Sequence, residues 1–284
     1  MSDSMLLTRN TLLCPVCLLL ICATSWKASA AIPQAAKDDS RYKLGYLVVT
    51  YYPGVSNDGT GDSLAGHQEA VNDAFGNGLV ALFPSGTYII SDTLRCRAFH
   101  PASGTNTDGS IKLGDNPFRT NAFILQGSGL GPRPVIKLAT TTVSDFGNTS
   151  VPRPLMLYRL YRSTEYPNQP QVDPPAATPL GAPSGYKVDS SSFFDSELRN
   201  LDLDCNGHPG AIGVAFPAAQ GSLIANVRVE ATNAFAGFYG LPGRNWGAVN
   251  IEVNGGLYGI RTGSATGSPT AGSTILGARL VGQT

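Results

Sequence analysis

The chain has 284 residues, with 20 basic and 20 acidic side chains, 33 glycines and 20 prolines. Balanced charge without a clustered basic excess excludes a nucleic-acid footprint. Gly and Pro are abundant and helix-period segments scarce, which points to many short strands joined by turns in one domain large enough for a substantial core.

Residues 1–30 read as a secretory signal. Arg9 supplies a weakly positive start, "TLLCPVCLLLICATSW" is an apolar run, and "ASA" at 28–30 fits a small-residue cleavage site. The alternative is an uncleaved anchor, although the run is short for a bilayer span. Removal of this segment takes Arg9, Lys27 and Asp3 with it and leaves 18 basic and 19 acidic residues, a net charge of −1. Cys14, Cys17 and Cys22 also leave, so the C-x-x-C at 14–17 is no metal or redox site. Cys96 and Cys205 remain, 109 positions apart, and either pair or stay as buried thiols. Residues 31–284 form the mature domain, expected outside the cell or in a periplasm, with no membrane partner after cleavage.

The first helical stretch runs from Leu64 to Phe75. Leu64, Val71 and Phe75 share a face, Asp62 or Ser63 stands where a cap is needed, and Gly76 can end the helix. Two strand-like runs follow around "PSG". Strands that continue to the end of the chain need a cover over their first open edge, and this helix is placed to provide it, with Gln68 bonding backbone groups of the first coil. The stretch 100–118 is rich in Gly, Ser, Asn and Asp, so "NTDG" at 106–109 reads as a turn. "NTS" at 148–150 is a glycosylation sequon.

"LMLYRLYRSTEY" at 155–166 sets Tyr158, Tyr161 and Tyr166 beside Arg159 and Arg162 and leads into a Pro-rich excursion, with eight prolines between 152 and 183. Two readings stay open: an aromatic and cationic binding surface under a functional loop, or one more buried strand that the loop covers.

From residue 200 the sequence repeats. "NLDLD" at 200, "NVRVE" at 226, "NIEVN" at 250 and "GARLV" at 277 are spaced by 26, 24 and 27 residues. Between them lie "AIGVAF", "FAGFYG" and "GLYGI", with Gly213, Gly237 and Gly259 separated by 24 and 22. Two interleaved strand series with one period describe coils of a solenoid. Leu201, Val227, Ile251 and Ala278 form one inward column, and Leu203, Val229, Val253 and Leu280 form another. Between them Asp202, Arg228, Glu252 and Arg279 face outward with alternating sign. The fold expected is an all-β parallel β-helix with an N-terminal cap helix, open-ended after "LVGQT".

"DGTGDSLAGHQEAV" followed by "GLVALFPSGTYIISDTL" resembles the N-terminal signature of the pectate lyase superfamily, the pectin-lyase-like right-handed β-helices. Asp58, Gly59, Asp62, Gln68, Ala70, Pro84, Gly86 and Tyr88 match its pattern, while Ser63, Leu64 and His67 replace an Asp, a Thr and an Ile. "HPGAIGVAFPAAQGSLIANVRV" and "FAGFYGLPGRNWGAVNIEVNGGLYGI" resemble the first half of glycoside hydrolase family 55, exo-β-1,3-glucanases built from two adjacent β-helices. The resemblance runs from about residue 45 to 284. It implies a polysaccharide partner, no resident cofactor, and a second β-helix domain beyond this chain that would carry most of the catalytic acid. A pectate-lyase-like or epimerase-like enzyme on uronic-acid chains, with Ca2+, is the rival enzyme reading. A non-catalytic glycan-binding or adhesion solenoid is the rival outside enzymes.

The candidate catalytic pair is Asp204 and Glu230, at one outward position on successive coils and therefore about 4.8 Å apart along the stack. Retaining glycosidases hold two carboxyls at about 5–5.5 Å, and calcium would suit the same oxygens. The competing reading is a solvated ladder of ion pairs. Candidate substrate contacts are Asp202, Arg228 and Glu252 beside that pair, Tyr158 and Arg159 on the earlier strand, and Tyr239 and Trp246 in "GFYGLPGRNW", with Phe238 and Arg244 in the same turn. His67, His100 and His208 lack metal-ligand spacing and read as structural.

Overall fold

The computed structural model describes residues 31–243, 246–262 and 272–284. The secretory-signal reading and Arg244 lie outside the described residues. The domain is a parallel β-helix, in which successive coils stack strand on strand along three faces. The first face comprises Tyr46–Val48, Val80–Phe83, Ile124–Gly127 and Glu197–Arg199, then the leading halves of Leu223–Glu230, Gly247–Asn254 and Thr274–Val281. The second comprises Thr87–Ile90, Val135–Leu138 and Asp202–Asp204, then the trailing halves of the same three long strands. The third comprises Leu94–His100, Arg153–Ser163, Ala211–Ala215, Ala236–Tyr239 and Tyr258–Arg261. Among the described residues two pairings are antiparallel: Tyr186–Val188 against the end of Arg153–Ser163, and the hairpin Ala102–Thr105 with Ile111–Leu113.

The expected columns are observed. Register pairs Leu203 with Val229, Val229 with Val253, and Val253 with Leu280, and all but the last are fully enclosed. The final strand, Thr274–Val281, is exposed along its length, Ile275 and Leu280 included. Each of the last four coils turns from the first face to the second at one residue in the left-handed conformation: Asn200, Asn226 and Asn250 at φ 56°, 55° and 50°, and Gly277 at φ 68°. Only Gly adopts this region without strain, and Asn is the side chain that follows it most readily. The asparagines also close local bonds. Asn250 Nδ2 donates to Asn226 Oδ1 at 2.8 Å, and Asn200 Nδ2 donates to the carbonyl of Ser128 at 2.7 Å.

On the third face the glycine series points into the core. A Cβ on Gly213 would lie 2.4 Å from Val229, and one on Gly237 would lie 2.5 Å from Val253. The valines of the second face thus fill the space that side chains at the glycines would need, and close packing of the coil requires both.

The cap helix spans Leu64–Gly76. Its start is closed by Asp62, whose Oδ1 accepts from Leu64 N at 3.0 Å and from Ser91 N at 3.1 Å; Ser63 makes no cap bond and turns to the backbone of Ser56. The left-handed residue after the helix is Gly78, at φ 65°, with Gly76 as the last helical residue. Gln68 acts as expected at the open edge: its amide donates to Arg95 O at 2.7 Å and its carbonyl accepts from Arg95 N at 2.9 Å. One side chain thereby supplies both backbone bonds that a preceding strand would have made. Cys96 and Cys205 are buried free thiols, held well above the ordinary thiol range by burial.

His67 occupies the position where the resembled pattern has an Ile. It is fully buried against Phe83 and Tyr88, with ring centroids at 5.4 and 5.0 Å, and neither ring nitrogen has a hydrogen-bond partner among the described residues. Burial lowers its pKa from 6.5 to about 4, opposed only by the charge of Asp62. The unfolded chain therefore takes up a proton that the folded chain refuses between these values. The stability that neutral His67 permits is present above pH 6.5 and is lost as pH falls toward 4, by about 3 kcal/mol at pKa-difference scale. His67→Ile should be more stable than the parent below pH 6.5, with a gap that widens toward pH 4 in urea titrations. Parallel pH curves for the two proteins would contradict this.

Candidate functional site

The second face carries two outward columns. The first reads Val135, Asp202, Arg228, Glu252, Arg279 and the second Lys137, Asp204, Glu230, Asn254, Val281, each in exact strand register. Alternating sign up the first column produces ion pairs between coils. Asp202 Oδ2 lies 2.9 Å from Arg228 Nη2, its Oδ1 lies 3.0 Å from Arg133 Nη2, and Glu252 pairs with Arg279. Asp202 is buried between its two arginines, and its carboxyl is nevertheless raised above the usual range, because burial outweighs both guanidinium groups.

Asp204 and Glu230 are direct neighbours in the second column. Each carboxylate also has local partners. Asp204 Oδ2 lies 2.9 Å from Lys137 Nζ, and its Oδ1 accepts from Asn206 N at 2.7 Å. Glu230 Oε1 accepts from Thr232 Oγ1 at 2.5 Å. Two carboxylates, one beside a cation and one beside a hydroxyl, thus stand next to a charged ladder on an accessible face.

The third face decides between the two readings of 155–166 in favour of the buried strand, and removes Tyr158 and Arg159 from the candidate substrate contacts. In Arg153–Ser163 nearly every side chain is enclosed, so "LMLYRLY" is a buried strand. Tyr158 points inward and stacks on Phe216 at 3.8 Å, and Arg159 is fully buried on the opposite side, where its Nη2 donates to Leu180 O at 3.3 Å. The cause is the Pro-rich excursion, which lies over the outside of the strand. Asn168 exchanges two bonds with the backbone of Ala102, and Asp173 pairs with Arg97 and, at 3.3 Å, with Arg95. Tyr239 is likewise buried, in a small apolar cluster with Leu157, Ile212, Ala215 and Ala236. Tyr158, Arg159 and Tyr239 therefore cannot form an open binding platform, whereas Trp246 is half exposed.

Sequence reasoning passed over Arg261. Its guanidinium sits 4.9 Å from the Tyr258 ring centroid, 5.2 Å from that of Phe235 and 5.7 Å from that of Tyr239. The in-register repeat Ala215, Tyr239, Arg261 on successive strands was the signal available for it. "NTDG" is the tip of the hairpin, with Asn106 N donating to Ser110 O at 2.8 Å. His208 Nε2 contacts the carbonyl of Ala139 at 2.8 Å. No group of three or more metal-ligating side chains occurs among the described residues.

No family model matches the chain, and no curated protein matches it. Among solved structures, it is similar to the A-module of mannuronan C-5 epimerase AlgE4 from Azotobacter vinelandii, at 14% identity and TM-score 0.36, over 84% of this chain and 50% of that one. It is also similar to pre-mature gene product 12 of bacteriophage phi29, at 14% identity and TM-score 0.28, over 83% of this chain and 33% of that one. The chain thus spans about half the length of the epimerase module and a third of the phage protein. At these scores the fold rests on its own strand register.

The ladder has a buried rung and an exposed one, and they should differ in stability. Asp202→Ala leaves Arg133 and Arg228 without their shared carboxylate and should cost about 1–3 kcal/mol, whereas Glu252→Gln should change stability by less than about 1 kcal/mol. Denaturant titration of both variants checks the ranking, and equal losses would contradict it.

Proposed function

We propose that the protein is an exported polysaccharide-active β-helix, a glycoside hydrolase of the exo-β-1,3-glucanase type, with its glycan lying along the outer columns of the second face. The observation that carries this reading is the register that makes Asp204 and Glu230 neighbours on adjacent strands. Strands about 4.8 Å apart suit the carboxyl separation of about 5–5.5 Å that retaining hydrolysis requires. Asp204 faces the Lys137 ammonium and suits the nucleophile, which attacks the anomeric carbon and displaces the leaving-group oxygen. Glu230, whose partner Thr232 is neutral, suits the acid that protonates that oxygen and then the base that deprotonates the incoming water as the water displaces Asp204 from the anomeric carbon. Asp202, Arg228 and Glu252 supply hydrogen-bonding groups along the same face. Export is supported by the apolar run and "ASA" within residues 1–30.

One observation favours a second reading, a glycan-binding solenoid without turnover: both carboxylates already hold local partners, as structural ladder residues do.

Release of reducing sugar from β-1,3-glucan by the full chain separates the two. Under the hydrolase reading, Asp204→Asn and Glu230→Gln each lower turnover by about 10²–10⁴-fold while the protein stays folded. Turnover unchanged in either variant would remove the pair from the chemistry. Retention of the parent by glucan in affinity electrophoresis, without released sugar, would favour the binding reading. Unsaturated products that disappear with a calcium chelator would indicate a lyase.

A further inference from the structure

A cavity of about 360 Å³ lies where Tyr186–Val188 joins the end of Arg153–Ser163. Ser110, Ile111 and Leu113 of the hairpin line one side, and Arg162, Thr164 and Lys187 line the other. Arg162 and Lys187 are direct cross-strand partners in the antiparallel pair. On its other side Arg162 is in register with His100. Side chains in register on adjacent strands share one side of a sheet, so the three strands present His100, Arg162 and Lys187 as a row.

Like charges directly opposite one another destabilise a strand pair. One carboxylate faces the two cations, so the group keeps a net positive charge. Asp189 Oδ2 stands 3.6 Å from Arg162 Nη1, and the other oxygen of Asp189 accepts from Ser191 Oγ at 2.6 Å. Lys187 has no ion-pair partner among the described residues, and its side chain is exposed at the cavity. His100 is buried, with Nε2 at 2.8 Å from Gly114 O and Nδ1 without a partner. Of the nearby acids, Asp108 accepts from Ser110 at the edge of the cavity, and Glu165 accepts from Gln169.

We propose that this cavity binds an oxyanion, a carboxylate, sulfate or phosphate, held between Arg162 and Lys187 and carried on nothing larger than a single sugar ring. The volume is at the small end of ligand pockets. The guanidinium of Arg162 offers paired donors to a planar or tetrahedral oxyanion, and Lys187 supplies a movable point charge. The inference does not depend on the carboxylate pair of the second face, which lies on a different sheet.

Thermal unfolding of the full chain tests it, with sodium sulfate, sodium phosphate or sodium glucuronate titrated against sodium chloride at matched ionic strength. Sulfate and phosphate raise the Tm of most proteins by exclusion from the surface, so the reading is the difference between the parent and Lys187→Gln. The parent should show an additional, saturable rise in Tm with at least one oxyanion. Lys187→Gln should unfold at a higher temperature than the parent in chloride, because the opposed charges are gone, and its saturable response should have a midpoint at least ~10-fold higher, the loss of one charge-assisted bond. Arg162→Gln should raise that midpoint by at least as much. A response to sulfate or phosphate alone identifies a free inorganic anion, and one to glucuronate alone identifies a sugar acid. The proposal is overturned if parent and Lys187→Gln respond alike, or if Lys187→Gln unfolds below the parent in chloride.

Discussion

In-register stacking of parallel strands is the constraint on which everything else in this domain depends. A residue type chosen at one position of a coil meets its equivalents in the coils on either side, so each property of the molecule is a property of a column. Inward columns of Leu, Val and Ile make the core. The corner column of Asn200, Asn226, Asn250 and Gly277 repeats one costly backbone conformation in the residues that bear it best. The glycine column of the third face exists because the valine column of the second face fills its space. The outward charge column becomes an ion-pair ladder because its sign alternates from coil to coil.

The same constraint creates the need for the cap. The first strand of the third face, Leu94–His100, has a side without a strand partner, and the helix Leu64–Gly76 covers that end of the stack with apolar side chains. Gln68 then supplies the missing backbone bonds of Leu94–His100 through one amide. Burying His67 in the same place exchanges an apolar contact for two unsatisfied nitrogens. The cap tolerates this while the ring stays neutral.

The later coils were legible in the sequence because their lengths are nearly constant, and columns can be aligned from 200 onward. The earlier coils were not, because segments 128–134, 139–152 and 164–185 break the period, although the strands on either side pair as regularly as the rest. The asparagine column stood in the aligned repeats as a first letter without a meaning, since sequence does not display φ. The sequence left Tyr158 and Arg159 open between a surface and a buried strand, and placed Tyr239 at the surface, for a different reason. A strand covered on both sides loses the alternation that distinguishes inward from outward, and the cover here is the Pro-rich excursion, distant in sequence and held by Asn168 and Asp173. The neighbour relation of Asp204 and Glu230 was legible because it needs register alone; their bonds to Lys137, Asn206 and Thr232 were not, because those depend on side-chain conformation.

Register is therefore the claim to test, and a disulfide reports it directly. Glu230 and Asn254 are in-register neighbours on Leu223–Glu230 and Gly247–Asn254, and the native Cys96 and Cys205 are buried. Strands about 4.8 Å apart bring in-register Cα atoms within the separation a disulfide spans. Under mild oxidation, followed by peptide mapping without reductant, Glu230→Cys/Asn254→Cys should cross-link within one chain, and Glu230→Cys/Glu252→Cys, offset by two residues, should cross-link far less. A preference for the offset pair, or no cross-link in the in-register pair, would contradict the stacked coils on which the rest of the structure depends.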